Sequence, residues 1–164
     1  MAVTFSADEM FEIAERIERN GAEFYRKAAK GSSDGKIRSF LEQLAVMEVA
    51  HEKTFAAMRA ELACSDRLPA AFDPGDEVGT YLQTMVDGKV FDVKTDPSEQ
   101  LTGRETPQDI LKTAIGMEKD SIVFYLGLEE YVPAESGKDK VRAIIKQEMG
   151  HIALLNDKLM ALEQ

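Results

Sequence analysis

The chain has one cysteine, no tryptophan and two histidines among its 164 residues. A single cysteine, Cys64, excludes an internal disulfide and favours a reducing compartment, so we expect a cytoplasmic protein. The N-terminal segment is acidic and amphipathic, and it lacks the basic-then-apolar order of a signal peptide. The lack of a signal-peptide pattern therefore agrees with the cytoplasmic location expected from the cysteine content.

Positive charge and long apolar runs are also scarce. Lys and Arg number 20 against 30 Asp and Glu, which gives a formal net charge of −10. This balance argues against nucleic acid and anionic membranes as partners. No run approaches the ~18 consecutive apolar residues that a membrane-spanning helix needs. The composition, 44% hydrophobic and 30% charged, is typical of a single globular domain with a substantial core.

Apolar residues recur at helical spacing in four long segments. Ser6 with Glu9 has the pattern of a capping box, and Thr106 followed by Pro107 is a typical helix start. The expected fold is all-α: a four-helix bundle made of two helical hairpins. The predicted helices cover, approximately, residues 7–30, 34–63, 107–131 and 136–162.

The segment 64–105 has weak periodicity and is too long for a structureless loop in a small domain. We therefore predict a crossover that runs back along the bundle and contains a short helix from Asp76 to Val86. Its apolar residues are expected either to cover the core of the bundle or to form a subunit contact. These residues are Leu82, Met85, Val90, Phe91 and Val93.

Both histidines belong to a pattern that occurs twice, with its second copy 100 positions after the first. Each copy has a single Glu and, 30 residues later, a Glu-x-x-His. A Phe-Tyr pair follows the single Glu in the same register, and it contains Tyr25 in one copy and Tyr125 in the other. The six residues of the pattern are Glu18, Glu48, His51, Glu118, Glu148 and His151.

Helical geometry predicts that these six side chains meet in the interior of the bundle. The midpoints of the two copies, positions 33 and 133, fall in the predicted turns, so each single Glu lies level with its own Glu-x-x-His. Residues i and i+3 of a helix share a face, and here that face is apolar. Four buried carboxylates would be very costly without compensating charge. Two divalent cations would supply that charge, and this donor set suits iron or manganese better than structural zinc.

The pattern resembles that of the ferritin-like di-iron carboxylate bundles, in which two helices each give a Glu and the other two each give a Glu-x-x-His. Within that superfamily the chain is most similar to rubrerythrin. The resemblance implies two iron ions per chain, with manganese or zinc as alternatives, and a homodimer. It also implies that Glu48 and Glu148 bridge the two ions. Glu18 and His51 would complete the ligands of one ion, and Glu118 and His151 those of the other.

The chain departs from rubrerythrin in two places. One cysteine cannot form a rubredoxin-like site of four cysteines, so we expect the electrons to come from an external donor. Ser121 stands where rubrerythrins usually have a further glutamate, which is associated with a ligand switch during peroxide reduction. Ser121 is expected either to donate a hydrogen bond near the ligands or to pack as a small residue. Tyr25 and Tyr125 are expected either to hydrogen-bond a ligand glutamate or to pack in the core.

Three functions follow from this interpretation. The first is an oxidoreductase that reduces hydrogen peroxide or O2 in the manner of rubrerythrin. The second is a ferritin-type ferroxidase that takes Fe(II) as its substrate. The third is a module that a metal stabilises without catalysis.

Overall fold

The computed structural model describes residues 5–62, 77–86, 94–132, 134 and 137–164. These residues form helices and no strands, so the predicted all-α fold is confirmed. A 3₁₀ turn lies at Pro97–Gln100. The α-helices are α1 (Ala7–Gly31), α2 (Gly35–Glu61), α3 (Glu77–Val86), α4 (Pro107–Tyr131) and α5 (Lys138–Leu162).

The helix ends follow from local hydrogen bonds. At α1 the Ser6 hydroxyl accepts from the Glu9 N–H, and the Glu9 carboxylate accepts from the Ser6 N–H, which is the predicted capping box. Thr106 and Asp109 make the same pair of bonds at α4. α2 begins one residue later than predicted because the Asp34 carboxylate caps it by accepting from two backbone N–H groups.

α5 also begins later than predicted, at Lys138, directly after Gly137. Gly137 has a φ of 102°, in the left-handed region that favours glycine. The predicted start at position 136 lies outside the described residues, as does the predicted end of α2 at position 63.

Two helical hairpins form the bundle. α1 packs along α2, α4 packs along α5, and the hairpins meet through α1 with α4 and α2 with α5. Within the described ranges, no helix is long and apolar enough to cross a membrane.

The core is divided into two apolar clusters, one toward each end of the bundle. The first cluster is built around Phe11, Phe55 and Leu128. The second is built around Phe24, Leu44 and Leu155. The buried polar layer described below lies between them, so the clusters provide most of the apolar burial that stabilises the fold.

The crossover contacts both hairpins where the structure describes it. Leu82, Met85 and Val86 of α3 are buried in the first cluster, so α3 covers the core of its own bundle. The 3₁₀ turn packs on α1, where the Lys27 ammonium donates to the Ser98 carbonyl at 2.7 Å. The other predicted crossover residues lie outside the described residues: Cys64, Val90, Phe91 and Val93.

The contact between α3 and α4 depends on Gly127. A Cβ atom added there would lie 2.6 Å from the Tyr81 ring and 2.9 Å from Leu82 Cδ2. The Tyr81 hydroxyl also donates to the Val123 carbonyl at 2.7 Å, which fixes the ring against α4. The missing side chain at Gly127 therefore allows α3 to approach α4 this closely.

We predict that Gly127→Ala destabilises the protein by about 1–3 kcal/mol, the usual cost of overpacking a close contact. The loss should come from displacement of α3, so limited proteolysis should cut the crossover faster. Urea denaturation of the two proteins gives the difference in the free energy of unfolding.

Gly116→Ala is the matched control, because Gly116 lies in the same helix and an added Cβ would have nothing within 4 Å. That change should stabilise the protein by up to about 1 kcal/mol through helix propensity. If both substitutions stabilise the protein equally, the close packing of α3 on Gly127 is wrong.

Candidate metal centre

All six residues of the repeated pattern meet in one buried layer. Each is at most 4% exposed, and Glu148 is completely buried. The layer receives one residue from each of α1 and α4 and two from each of α2 and α5. Its members are Glu18, Glu48, His51, Glu118, Glu148 and His151.

The side chains form two overlapping groups, in each of which one atom from every residue lies within 4.8 Å of the others. The His51 group consists of Glu18, Glu48, His51 and Glu148. The His151 group consists of Glu48, Glu118, Glu148 and His151. Both groups share Glu48 and Glu148, which is the arrangement that two bridging carboxylates require.

Glu148 lies between the two imidazoles. Its Oε1 is 2.8 Å from His51 Nδ1, and its Oε2 is 2.8 Å from His151 Nδ1. Glu48 is also shared, since its Oε1 lies 3.1 Å from His151 Nδ1 and its Oε2 lies 3.8 Å from His51 Nδ1. The rings stack with centroids 5.4 Å apart and planes 18° apart. Both Nδ1 atoms therefore face the carboxylates from the same side of the layer.

Several of these atoms are buried without an aligned hydrogen bond. They include both oxygens of Glu148, Oε1 of Glu48 and Nδ1 of each histidine. Buried polar atoms normally find partners, and those that do not need an explanation such as an unseen ion. Carboxylate oxygens and imidazole nitrogens converging in this way fit two divalent cations. That the six residues bind metal remains a prediction.

Tyrosines from opposite hairpins hold the two unshared carboxylates. Tyr25 of α1 donates from its hydroxyl to Glu118 Oε1 of α4. Tyr125 of α4 donates to Glu18 Oε1 of α1 at 2.5 Å. Both tyrosines are at most 1% exposed and also pack in the apolar clusters, so each has both of the roles that the sequence suggested. The sequence did not indicate that each tyrosine reaches the glutamate of the other hairpin.

Sequence reasoning also missed Gln147. Its Oε1 accepts a hydrogen bond from His51 Nε2 at 2.6 Å. Gln147 lies one turn before His151 on the same helix, so the sequence already placed it beside the ligand layer. The sequence did not indicate that it reaches His51 of the opposite hairpin. His151 Nε2, by contrast, is buried and has no hydrogen-bond partner among the described residues.

The surroundings divide the four carboxyl groups into two pairs. Burial, together with the Glu48 carboxylate, raises the pKa of Glu18 well above its usual range. Burial also raises the pKa of Glu118, to about 8. Burial acts in the same direction on Glu48, but His151 and His51 outweigh it and hold the pKa of Glu48 at about 2. The same imidazoles lower the pKa of Glu148 despite its burial.

Both histidines are stabilised as imidazolium ions in the metal-free protein. Burial acts to lower their pKa values, but the nearby carboxylates outweigh it. Glu148 contributes most to raising the pKa of His51 well above its usual range. Glu118 contributes most to raising the pKa of His151, to about 12. The metal-free layer is therefore close to neutral, with two imidazolium ions balancing Glu48 and Glu148.

A cavity of about 310 Å³ reaches the layer between α1 and α4. Glu48, Glu118 and Tyr25 lie on its wall, and Thr95, Pro97 and Gln100 of the crossover also line it. Ser121 lines it too, and the Ser121 hydroxyl donates to the Met117 carbonyl of its own helix at 3.0 Å. The hydroxyl is thus used within α4, which fits the small-residue interpretation of this position.

Comparison with known proteins identifies the fold. The family model of the ferritin-like domain matches residues 7–161. A crystal structure from Thermotoga maritima, of a protein with the provisional name ferritin-like diiron-carboxylate protein, has a TM-score of 0.75 to this chain. The two sequences are 24% identical, and the match covers 96% of each chain. No protein of curated function matches the sequence significantly. The predicted ferritin-like bundle is confirmed.

We predict that metal binding releases about four protons at pH 7, one each from Glu18, Glu118, His51 and His151. The pKa of each of these groups is raised, which favours its protonated form in the metal-free layer, and each must lose a proton to act as a ligand. Affinity should therefore fall as the pH decreases, by up to about 100-fold per unit for two protons per ion. Adding two equivalents of Co(II) to weakly buffered protein, with a pH indicator, measures the release.

The His51→Ala/His151→Ala variant is the control for this titration and should lose both the binding and the proton release. Two bound Co(II) ions with fewer than about one proton released would show that the proposed protonation of the layer is wrong.

We also predict that Tyr25→Phe and Tyr125→Phe each destabilise the metal-free protein by about 1–3 kcal/mol, because each leaves a buried carboxyl group without its donor. The two losses should be similar, since the two bonds are equivalent by the repeat. Urea denaturation measures them. Tyr81→Phe removes a more exposed hydroxyl bond and should cost less. Equal effects for all three substitutions would count against the role of the buried pairs.

Proposed function

The chain belongs to the ferritin-like domain family, and from that premise we propose that it is a di-iron oxidoreductase that reduces hydrogen peroxide or O2 in the manner of rubrerythrin. The observation that carries the proposal is the buried layer of four carboxylates and two imidazoles in two groups that share Glu48 and Glu148. The name of the Thermotoga maritima protein describes a diiron-carboxylate site in the same fold. This supports iron as the metal.

The ligand assignment follows the two groups. Glu48 and Glu148 would bridge the ions, because each has one oxygen toward each histidine. Glu18 and His51 would complete the ligands of one ion. Glu118 and His151 would complete those of the other. Nδ1 would be the ligating nitrogen of both histidines, since it faces the carboxylates while Nε2 points away from them.

Two ferrous ions bound in this layer would together supply two electrons to the oxidant. The protein would deliver the oxidant through the cavity, whose size suits a small molecule. Gly21 lies on the cavity wall beside Glu48, where a Cβ would be at an ordinary van der Waals distance of 3.4 Å from Glu48 Cγ. Tyr25 and Tyr125 would hold Glu118 and Glu18 in position while the charge of the layer changes.

Reduction of peroxide to two waters consumes two protons along with the two electrons, so the cavity needs a proton source. Asp120 lies on the cavity wall. Burial raises the pKa of Asp120, which favours its protonated form relative to an ordinary aspartate. Because Asp120 is exposed to solvent and also lines the cavity, we assign it the role of relaying protons from solvent. The resemblance to rubrerythrin also leads us to propose a homodimer that receives electrons from an external donor.

A ferritin-type ferroxidase is the second candidate, and the surroundings of Ser121 favour it. Position 121 is a serine, so the cavity lacks the further carboxylate that rubrerythrins usually have at this position. The Ser121 hydroxyl donates to the Met117 carbonyl of its own helix. The net charge of −10 and the position of Asp120 on the cavity wall suit the entry of a cation. Fe(II) itself would then be the substrate.

One experiment separates these functions. The protein is loaded anaerobically with two equivalents of Fe(II), and its oxidation by equal concentrations of hydrogen peroxide and O2 is followed by stopped-flow absorbance. An added reductant or excess Fe(II) then tests for turnover. The Glu48→Ala/Glu148→Ala variant is the control, and circular dichroism checks its fold. This check is needed because the two carboxylates balance the charge on His51 and His151, and removing the partners of a buried charge can be strongly destabilising.

We expect peroxide to oxidise the loaded protein faster than O2, with turnover supported by the reductant and a loss of at least 100-fold in the variant. Turnover of excess Fe(II) with O2, and none with the reductant, would favour the ferroxidase. Two bound irons that react no faster than those in solution would leave a metal-stabilised module as the function. Rates unchanged in the variant would reject the site.

A further inference from the structure

The two metal positions have equivalent ligands but different neighbours. Glu18, Glu48 and His51 each have a counterpart 100 positions later, and Glu48 and Glu148 belong to both groups. The equivalence ends one helical turn before each histidine, where the first copy has Met47 and the second has Gln147. These two residues are the ones expected to reach the histidine of the opposite hairpin.

Gln147 makes that contact. Its Oε1 lies 2.6 Å from His51 Nε2, so Nε2 carries the proton and donates to it. When His51 gives up its other proton to bind a metal, this bond keeps the remaining proton on Nε2 and leaves the Nδ1 lone pair toward the carboxylate layer. An acceptor on the outer nitrogen also orients the ring and makes the ligating nitrogen more basic.

His151 has no such partner. Its Nε2 is buried, and no group of the described residues accepts from it. Met47, the counterpart of Gln147, is half-buried and packs against the second apolar cluster. A thioether is only a weak acceptor. Among the described residues, the ring of His151 is therefore held by packing and by its Nδ1 contacts.

The cavity adds a second difference. It reaches the layer at Glu118, which belongs to the His151 group alone, and at the shared Glu48. The position with the less well oriented histidine is thus also the position next to the entrance.

We propose that Gln147 makes the two metal positions unequal, so that the ion held by His51 binds first and more tightly while the ion held by His151 binds second and exchanges through the cavity. This rests on the di-metal site of the proposed function. Gln147 acts as a positioning residue, because it reaches the ion only through His51.

Co(II) titration of the metal-free protein tests the proposal without reference to activity. The visible spectrum should show two binding steps whose constants differ by about tenfold or more, since outer hydrogen-bond partners of ligating histidines contribute about 10–100-fold to affinity. Gln147→Met should weaken the first step by about 10–100-fold and bring the two steps together. Met47→Gln should strengthen the second step by supplying an acceptor to His151.

Single-histidine variants assign each step to its position. With His151→Ala, which retains the His51 group, adding Gln147→Met should weaken the remaining site. With His51→Ala, the same addition should change the remaining constant by less than twofold. A purely structural effect of Gln147→Met would weaken Co(II) binding equally in the His151→Ala and His51→Ala variants. Circular dichroism and urea denaturation confirm that each variant is folded.

The outcomes distinguish this inference from the function on which it rests. If Gln147→Met changes both Co(II) binding constants by less than twofold, the proposed inequality is wrong, whereas the di-metal site is still supported. Equal weakening of Co(II) binding in the two single-histidine variants would also overturn the inequality. No Co(II) binding by the unmodified protein would reject the di-metal site itself.

Discussion

The rest of this structure depends on one electrostatic constraint, the burial of four carboxyl groups in the middle of a helical bundle. A buried carboxylate without compensation would cost more than a small domain can afford. In the metal-free protein the cost is reduced in two ways. The nearby carboxylates raise the pKa of His51 and His151, which favours imidazolium ions that balance Glu48 and Glu148. Burial raises the pKa of Glu18 and Glu118, which favours their neutral forms. Two divalent cations would replace those four protons with the same total charge. The layer can therefore exchange protons for metal without a change in its net charge.

The same layer fixes how the two hairpins meet. An apolar seam between α1 and α4 could slide by a turn at small cost, but the buried hydroxyls cannot, because each must reach a carboxyl group on the other hairpin. Tyr25 binds Glu118, and Tyr125 binds Glu18, so the register between α1 and α4 is set twice. In each helix the tyrosine lies seven residues, about two turns, after the glutamate. The apolar clusters on either side then supply the burial energy, while the polar layer supplies the specificity.

The sequence predicts the bundle and the six-residue layer because both depend on the spacing of residues within one helix or one hairpin. Helical periodicity gives the four long helices to within a residue or two, and the distance of each glutamate from its turn places Glu18 level with Glu48. What spacing cannot give is the contact made across the bundle. The reach of Tyr25 to the opposite hairpin, the bond from His51 to Gln147 and the approach of Tyr81 to Gly127 depend on how helices from distant parts of the chain are rotated against each other. The repeat did give an indication of these contacts. Positions at which its two copies have different residues, such as Met47 and Gln147, are positions at which the two hairpins have different neighbours.

Those differences have a common cause in the crossover. A single crossover segment joins the two equivalent hairpins, so it cannot make the same contacts with both of them. Position 27 in α1 is a lysine that binds the 3₁₀ turn, whereas its counterpart Gly127 in α4 has no side chain and admits α3. The segment near the 3₁₀ turn also forms part of the cavity wall on the Glu118 side of the layer. Access to two chemically matched positions therefore becomes unequal through the connection alone. A site with equivalent ligands and an unequal approach can hold one ion as a fixed partner while the other meets what enters from the cavity. That combination suits both the reduction of a small oxidant and the oxidation of an arriving Fe(II), so the six ligands alone do not distinguish the two proposed substrates.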